Sequence, residues 1–220
     1  MAVDLRCQAV LFDLDGVLID SLGVAERILR DWAVSRGVDP DLACELSHGR
    51  RDADLIPLLG THFDVATETG WITGREELAV AGITPMPGAG RLLAALTTGT
   101  RQHWAVVTSA TRRVARGRIA AAGLPEPVAL VAAEDVPRGK PEPLPYLRGA
   151  ELVGAAPGDC VVIEDAMAGV AAARAAGMRC IGVGSEVDPA AVTTHVASLD
   201  EIRAGVGDGF RWLAVSSALR

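Results

Sequence analysis

Near its start the chain runs Ala9-Val10-Leu11-Phe12-Asp13-Leu14-Asp15-Gly16, an apolar stretch that stops at two carboxylates one residue apart and then a glycine. Val10 to Phe12 is apolar at every position, so the run reads as a parallel strand covered on both faces. Such a strand carries its acids out at its C-terminal end, where open α/β sheets bind ligands. Two carboxylates held together repel each other, which calls for a cation or a shared proton. Mg²⁺, a hard ion with oxygen ligands, fits that need.

The same grammar recurs along the chain. Candidate strands are Ala9 to Leu14, Trp104 to Thr108, Leu130 to Ala133, Val161 to Glu164 and Cys180 to Val183. Helical stretches stand between them, roughly Pro87 to Leu96, Arg112 to Ala122, Leu144 to Val153 and Met167 to Ala176. This alternation predicts an α/β fold, a three-layer Rossmann-like parallel sheet wrapped by helices. One interval breaks the rhythm. A βαβ unit needs about 30 residues, and the stretch from Asp15 to Thr108 is far longer. The surplus predicts a small inserted α-helical cap domain, residues 20–85, in a core made of residues 1–19 and 86–220. Its helical pieces are Leu22 to Arg36, Pro40 to Leu46, Ala53 to Leu59 and Ala66 to Val80, and it should lie over the strand ends as a lid. The tail after Gly205 is Gly-rich, then mildly apolar, and carries no assignment.

Composition narrows the function classes. Half of the 220 residues are hydrophobic and 22% are charged, a globular profile, and the net charge of −7 argues against nucleic acid or an anionic membrane as partner. Cys7, Cys44, Cys160 and Cys180 form no Cys-x-x-Cys pair. With no signal-peptide pattern and no apolar stretch long enough for a bilayer, a reducing cytoplasm is the expectation.

The other strand ends complete a pattern. Thr108-Ser109 offers hydroxyls that can hold phosphate oxygens or simply make a turn or helix cap. Lys140, in Gly139-Lys140-Pro141-Glu142-Pro143, is the only lysine in a chain that otherwise uses arginine. Its compact ammonium can neutralise a phosphoryl oxygen and a carboxylate together. Val161-Val162-Ile163-Glu164-Asp165 ends, like the first strand, in adjacent acids. No Gly-x-x-x-x-Gly-Lys loop, dinucleotide fingerprint, Gly-x-Ser-x-Gly elbow or His-Glu-x-x-His competes with this set.

Taken in order, Phe12-Asp13-Leu14-Asp15-Gly16-Val17-Leu18-Ile19-Asp20-Ser21, Thr108, Lys140 and Glu164-Asp165 resemble the four motifs of the haloacid dehalogenase superfamily. The stretches Arg138 to Pro143 and Val162 to Val170 look most like its sugar- and polyol-phosphate phosphatases. That resemblance implies Asp13 as nucleophile, forming an aspartyl-phosphate, and Asp15 as the acid that protonates the leaving alkoxide and then acts as base. It implies Mg²⁺ held by Asp13, Asp165 and the Asp15 carbonyl, with Glu164 either a further ligand or a group behind the ligands. Thr108, Ser109 and the Ala110 N–H would hold phosphoryl oxygens, and Lys140 would balance the charge of nucleophile and phosphate. Asp15 itself points to phosphoryl transfer, since haloalkanoate dehalogenases lack the second aspartate. β-Phosphoglucomutases typically carry a cap histidine ten residues after that aspartate, where this chain has Ala25; a phosphomutase is nonetheless the alternative reading, and a non-catalytic phosphate-binding regulator a further one. The cap segment His48-Gly49-Arg50-Arg51, Arg50 above all, is the candidate for contacts to the leaving group, or else an interhelical turn. Trp32, Trp71 and His62 read as cap-core or surface residues; His103 and His195 read as peripheral. The expected partner is a small phosphorylated metabolite bound by a monomer.

Overall fold

The computed structural model describes residues 2–98, 101–207 and 210–216. Six parallel strands form the central sheet: β1 (Ala9–Phe12), β2 (Trp104–Val107), β3 (Leu130–Val131), β4 (Cys160–Glu164), β5 (Arg179–Val183) and β6 (Thr194–Val196), in the order β6-β5-β4-β1-β2-β3. Their side chains alternate between two apolar layers. Val10, Phe12, Val161 and Ile163 point into one cluster, and Ala9, Leu11, Cys160 and Val162 into the other. Burial on both faces explains why the sequence is apolar without a period of two. The expected α/β architecture is present.

Among the described residues eight α-helices accompany the sheet. Four lie between β1 and β2: α1 (Leu22–Arg36), α2 (Pro40–Ser47), α3 (Asp52–Leu59) and α4 (Val65–Glu76). The others are α5 (Ala89–Ala95), α6 (Arg112–Ala121), α7 (Leu144–Val153) and α8 (Met167–Ala175). Residues from α5 and α6 complete one apolar layer, and residues from α7 and α8 complete the other. Helices α1–α4 share a third cluster built on Ile28, Leu29, Trp32, Leu55, Ile56 and Ile72, with Trp32 wholly buried. The side chains of Asp39 and Asp64 cap α2 and α4 by accepting from free backbone N–H groups. The helical segment leaves and returns at one place, where Ile19–Asp20 pairs antiparallel with Thr84–Pro85.

The register sets the site. Phe12 lies opposite Val106 on one side and Ile163 on the other, so β1, β2 and β4 end at one level. The Asp13 N–H donates to the Ile163 carbonyl at 3.0 Å, and the Thr108 N–H to the Val131 carbonyl at 2.9 Å.

Several elements differ from the sequence reading. The ladder stops at Phe12, Val107 and Val131, which puts Leu14, Thr108 and Ala133 just beyond their strands; Ala133 opens a 3₁₀ turn instead. Helix α5 starts at Ala89, two residues later than expected, because Gly88 takes φ +88° where backbone of residues 199–200 approaches too closely for a Cβ. Helix α4 ends at Glu76 rather than Val80. Strand β6 escapes the apolar pattern because it is a three-residue edge strand with Thr194 and His195 half-buried. The tail also has a structure: Arg211–Ser216 is the middle strand of an antiparallel sheet between Ala2–Cys7 and Ile202–Val206. Its Leu213 and Val215 join Leu5 in the first apolar layer. All four cysteines are buried and free. Among the described residues no helix is long and apolar enough to cross a membrane.

Candidate active site

Asp13, first residue past β1, is buried at the C-terminal edge of the sheet. The Lys140 ammonium, 2% exposed, donates to Asp13 Oδ1 at 2.6 Å and to Glu164 Oε1 at 2.5 Å. Burial pushes the Asp13 carboxyl up to about 7, against the pull of Lys140. Burial alone would lower the Lys140 pKa, but Asp13 and Glu164 outweigh it and keep the ammonium charged. Glu164 is fully buried, and its two oxygens accept four hydrogen bonds: from Lys140, from the Tyr146 hydroxyl at 2.7 Å, and from the backbone N–H of Asp165 and Ala166. Occupied in this way, Glu164 orients Lys140 rather than offering a free oxygen.

Asp165 follows directly, half-buried, and no side chain or backbone donor satisfies its carboxylate among the described residues. Burial, then the nearby Asp13 and Glu164 carboxylates, push it up to about 9. Oxygens of Asp13, Glu164 and Asp165 lie within 4.8 Å of one another. With the Glu164 oxygens taken up by Lys140, Tyr146 and backbone N–H groups, Asp13 and the unsatisfied Asp165 remain as mutually repelling hard oxygen donors, a pair that fits a divalent cation such as Mg²⁺. Gly16 is required beside it: with φ +82°, a Cβ there would sit 1.9 Å from Asp165 Oδ2.

Asp15 is held differently. Its Oδ1 accepts from the Ser21 hydroxyl and from Arg118 Nη1, the latter at 2.7 Å. Arg118, on α6, is 2% exposed and also donates from Nη2 to Glu76 of α4 at 2.8 Å. Asp52 of α3 completes the cluster; burial and Glu76 push its carboxyl up to about 7. The sequence reading missed Arg118, Glu76, Asp52 and Tyr146. A signal existed for Arg118, since it shares the buried face of α6 with Val114, Ala115 and Ile119. An arginine on an apolar stripe needs a buried partner.

The expected phosphate-holding residues converge as well. The Thr108 hydroxyl accepts from the Ala110 N–H at 3.1 Å, a local turn bond that leaves its own proton to donate. The Ser109 hydroxyl donates to the Gly49 carbonyl at 2.8 Å, so it joins the sheet to the helical segment. A cavity of about 150 Å³ lies between sheet edge and helices, lined by Asp13, Asp15, Thr108, Ser109, Ala110 and Asp165 on one side. On the other side are Ala25, Glu26, His48, Arg50, Asp52 and Glu76. Arg51 does not line it; its guanidinium is turned onto the loop before Lys140. His103 is not peripheral, as its ring is buried against Arg211. His195 is half-buried, with Nε2 2.6 Å from the Gly184 carbonyl.

Four strand ends in this order, with this geometry, correspond to a known group. The model of the haloacid dehalogenase-like hydrolases matches residues 7–177. The chain belongs to that family. It is a hydrolase, and several curated relatives similar to it over most of its length are phosphatases or phosphohydrolases by name. It is 43% identical over 191 residues to hexitol phosphatase A of Escherichia coli, covering 84% of this chain and 86% of that protein. It is 32% identical to glycerol-1-phosphate phosphohydrolase 2 of Saccharomyces cerevisiae, covering 84% and 78% respectively. In fold it resembles β-phosphoglucomutase of Clostridium difficile, with a TM-score of 0.80 at 21% identity over 90% of this chain and 93% of that one.

Proposed function

We infer that this protein is a Mg²⁺-dependent phosphatase that hydrolyses a small sugar or polyol phosphate through an aspartyl-phosphate on Asp13. One observation carries the reading: a single lysine joins the β1 and β4 acids, with Asp165 beside them and a cavity in front. Asp13 attacks phosphorus while the leaving alkoxide takes a proton from Asp15. Water then attacks the acyl phosphate, giving a proton back to Asp15 and releasing inorganic phosphate. Ser21 and Arg118 fix the Asp15 carboxyl for both transfers. Lys140 offsets the charge of nucleophile and phosphoryl group, and the Thr108 hydroxyl donates to a phosphoryl oxygen. Asp13, Asp165 and the Asp15 carbonyl would hold the Mg²⁺, whose charge reduces repulsion between carboxylate and phosphate dianion.

Residues 20–85 act as the cap over a core of residues 1–19 and 86–220, and the cap supplies substrate choice. Its wall of the cavity carries Glu26, Asp52 and Glu76, acceptors for hydroxyl groups and repulsive toward a second anion. Arg50 and His48 are the donors there. This balance favours a neutral polyhydroxy leaving group. Ala25 lines the cavity too and brings no titratable group, which favours hydrolysis over phosphomutation. We place the protein in the cytoplasm as a monomer, in keeping with its four buried thiols.

The test is phosphate release from a panel of hexitol, glycerol, hexose and glycolate phosphates with Mg²⁺, run beside Asp13→Asn. Wild type should release phosphate from polyol or sugar esters without isomerising them, and the variant should fall below about one-thousandth of that rate. Full activity in Asp13→Asn would reject the covalent route. Isomerised ester without phosphate release would identify a mutase.

A further inference from the structure

The segment Gly49–Asp54 touches three of the four loops that carry the catalytic groups, those after β2, β3 and β4. Gly49, with φ +73°, accepts from Ser109 and packs so tightly on the loop after β4 that a Cβ would meet the Ala166 methyl at 3.0 Å. Arg51 and Asp54 engage the third loop, residues 133–139, which leads into Lys140.

Arg51 is 7% exposed. A guanidinium has five N–H donors, and each finds an acceptor. Nε and Nη2 donate to Asp54 at 2.7 and 2.8 Å. Nη1 donates to the carbonyls of Ala133 at 2.9 Å and Val136 at 2.7 Å, and Nη2 also to that of Pro137 at 3.0 Å. Asp54 Oδ2 in turn accepts from the Gly139 N–H at 3.0 Å. Gly139 has no space for a side chain: a Cβ would lie 2.8 Å from Arg51 Nε and 2.9 Å from Asp54 Oδ2. No donor of Arg51 is left for a leaving group. The next residue after Gly139 is Lys140, whose ammonium touches Asp13.

We propose that Arg51 and Asp54 are positioning residues for catalysis: they clamp the loop at 133–139 and so set Lys140 against Asp13 only when the helical segment is seated on the sheet. The proposal rests on the phosphatase reading above. Charge balance at the nucleophile then depends on cap seating, without Arg51 touching the substrate.

The test uses Arg51→Ala, Arg51→Lys and Asp54→Asn with two esters, p-nitrophenyl phosphate and glycerol 1-phosphate. If the pair positions Lys140, Arg51→Ala lowers kcat by about 10- to 100-fold on both esters, the scale of a small misplacement, while KM moves less than about threefold. Guanidinium chloride at low millimolar concentration partly restores that kcat, and Arg51→Lys, lacking the fork, recovers only part of it. An unchanged kcat on p-nitrophenyl phosphate overturns the proposal, as does a defect confined to KM for glycerol 1-phosphate, which would mark Arg51 as a leaving-group contact. Should Arg51→Ala fail to fold, Asp54→Asn decides by the same kcat criterion. A wild-type protein inert toward p-nitrophenyl phosphate and toward every sugar and polyol ester of the panel above sinks the phosphatase reading and this proposal with it. An active wild type beside an unimpaired variant sinks the proposal alone.

Discussion

Gly169 sits in α8 with no room for a methyl group, since a Cβ would lie 1.6 Å from Glu164 Oε1 and 2.0 Å from Cδ. In an ordinary helix, Gly→Ala stabilises by roughly 1 kcal/mol. Here the methyl would displace a fully buried carboxylate with four donors. Gly169→Ala should therefore lower the melting temperature and cut kcat by at least about tenfold, measured by thermal melt and phosphate release on the same sample. A higher melting temperature with intact kcat would show that Glu164 is not fixed as described. The acids and Lys140 were legible in the sequence because each closes a strand or stands as the lone lysine. Arg118 and Tyr146 were not, because their meaning depends on which face of a helix meets a strand end distant in sequence. Arg51 shows the reverse: adjacency makes it, with Arg50, a candidate for leaving-group contacts or an interhelical turn, yet the two diverge at the helix start, Arg50 lining the cavity and Arg51 turned onto the loop before Lys140.

Helix α6 depends on one buried charge network. Arg118 ties it to the end of β1 through Asp15 and to α4 through Glu76, with side chains only 3%, 18% and 12% exposed. Removing one partner of a buried pair leaves uncompensated charge, at a cost of about 3–5 kcal/mol. Arg118→Met should show a loss of that size in urea unfolding at pH 8. The loss should be smaller at pH 5, because burial already raises Asp52 to about 7 and shifts Glu76 upward, and both can take a proton once the cation is gone. Equal destabilisation at both pH values would mean that the acids do not depend on Arg118. At this scale the alternation of strands and helices was legible wherever burial is complete on both faces. It was silent for β6 and for Ile202–Val206, where half-burial mixes polar and apolar residues.

Across the whole molecule, the buried acids make stability depend on pH, and the proposed Mg²⁺ would add a dependence on the ion. Asp13 at about 7 and Asp165 at about 9 stand above their ordinary value of 3.8. A raised carboxyl means that the folded chain holds more protons than the unfolded one between about pH 4 and 9, so metal-free stability falls as pH rises through that window. A divalent ion that binds the deprotonated acids restores what is lost. The melting-temperature gain from Mg²⁺ over EDTA should widen from pH 5 to pH 9 by differential scanning fluorimetry; a gain independent of pH would count against an ion between these carboxylates. The long first interval of the chain was legible as surplus because its length exceeds one βαβ crossover, whereas the antiparallel sheet was hidden because its partners lie at opposite ends of the sequence. That last arrangement has a kinetic consequence. Ala2–Cys7 finds its partner only at Arg211–Ser216, a pairing of very high contact order. During synthesis the first strand waits without this partner until Arg211–Ser216 has been translated, so the sheet is a natural place for late, slow folding.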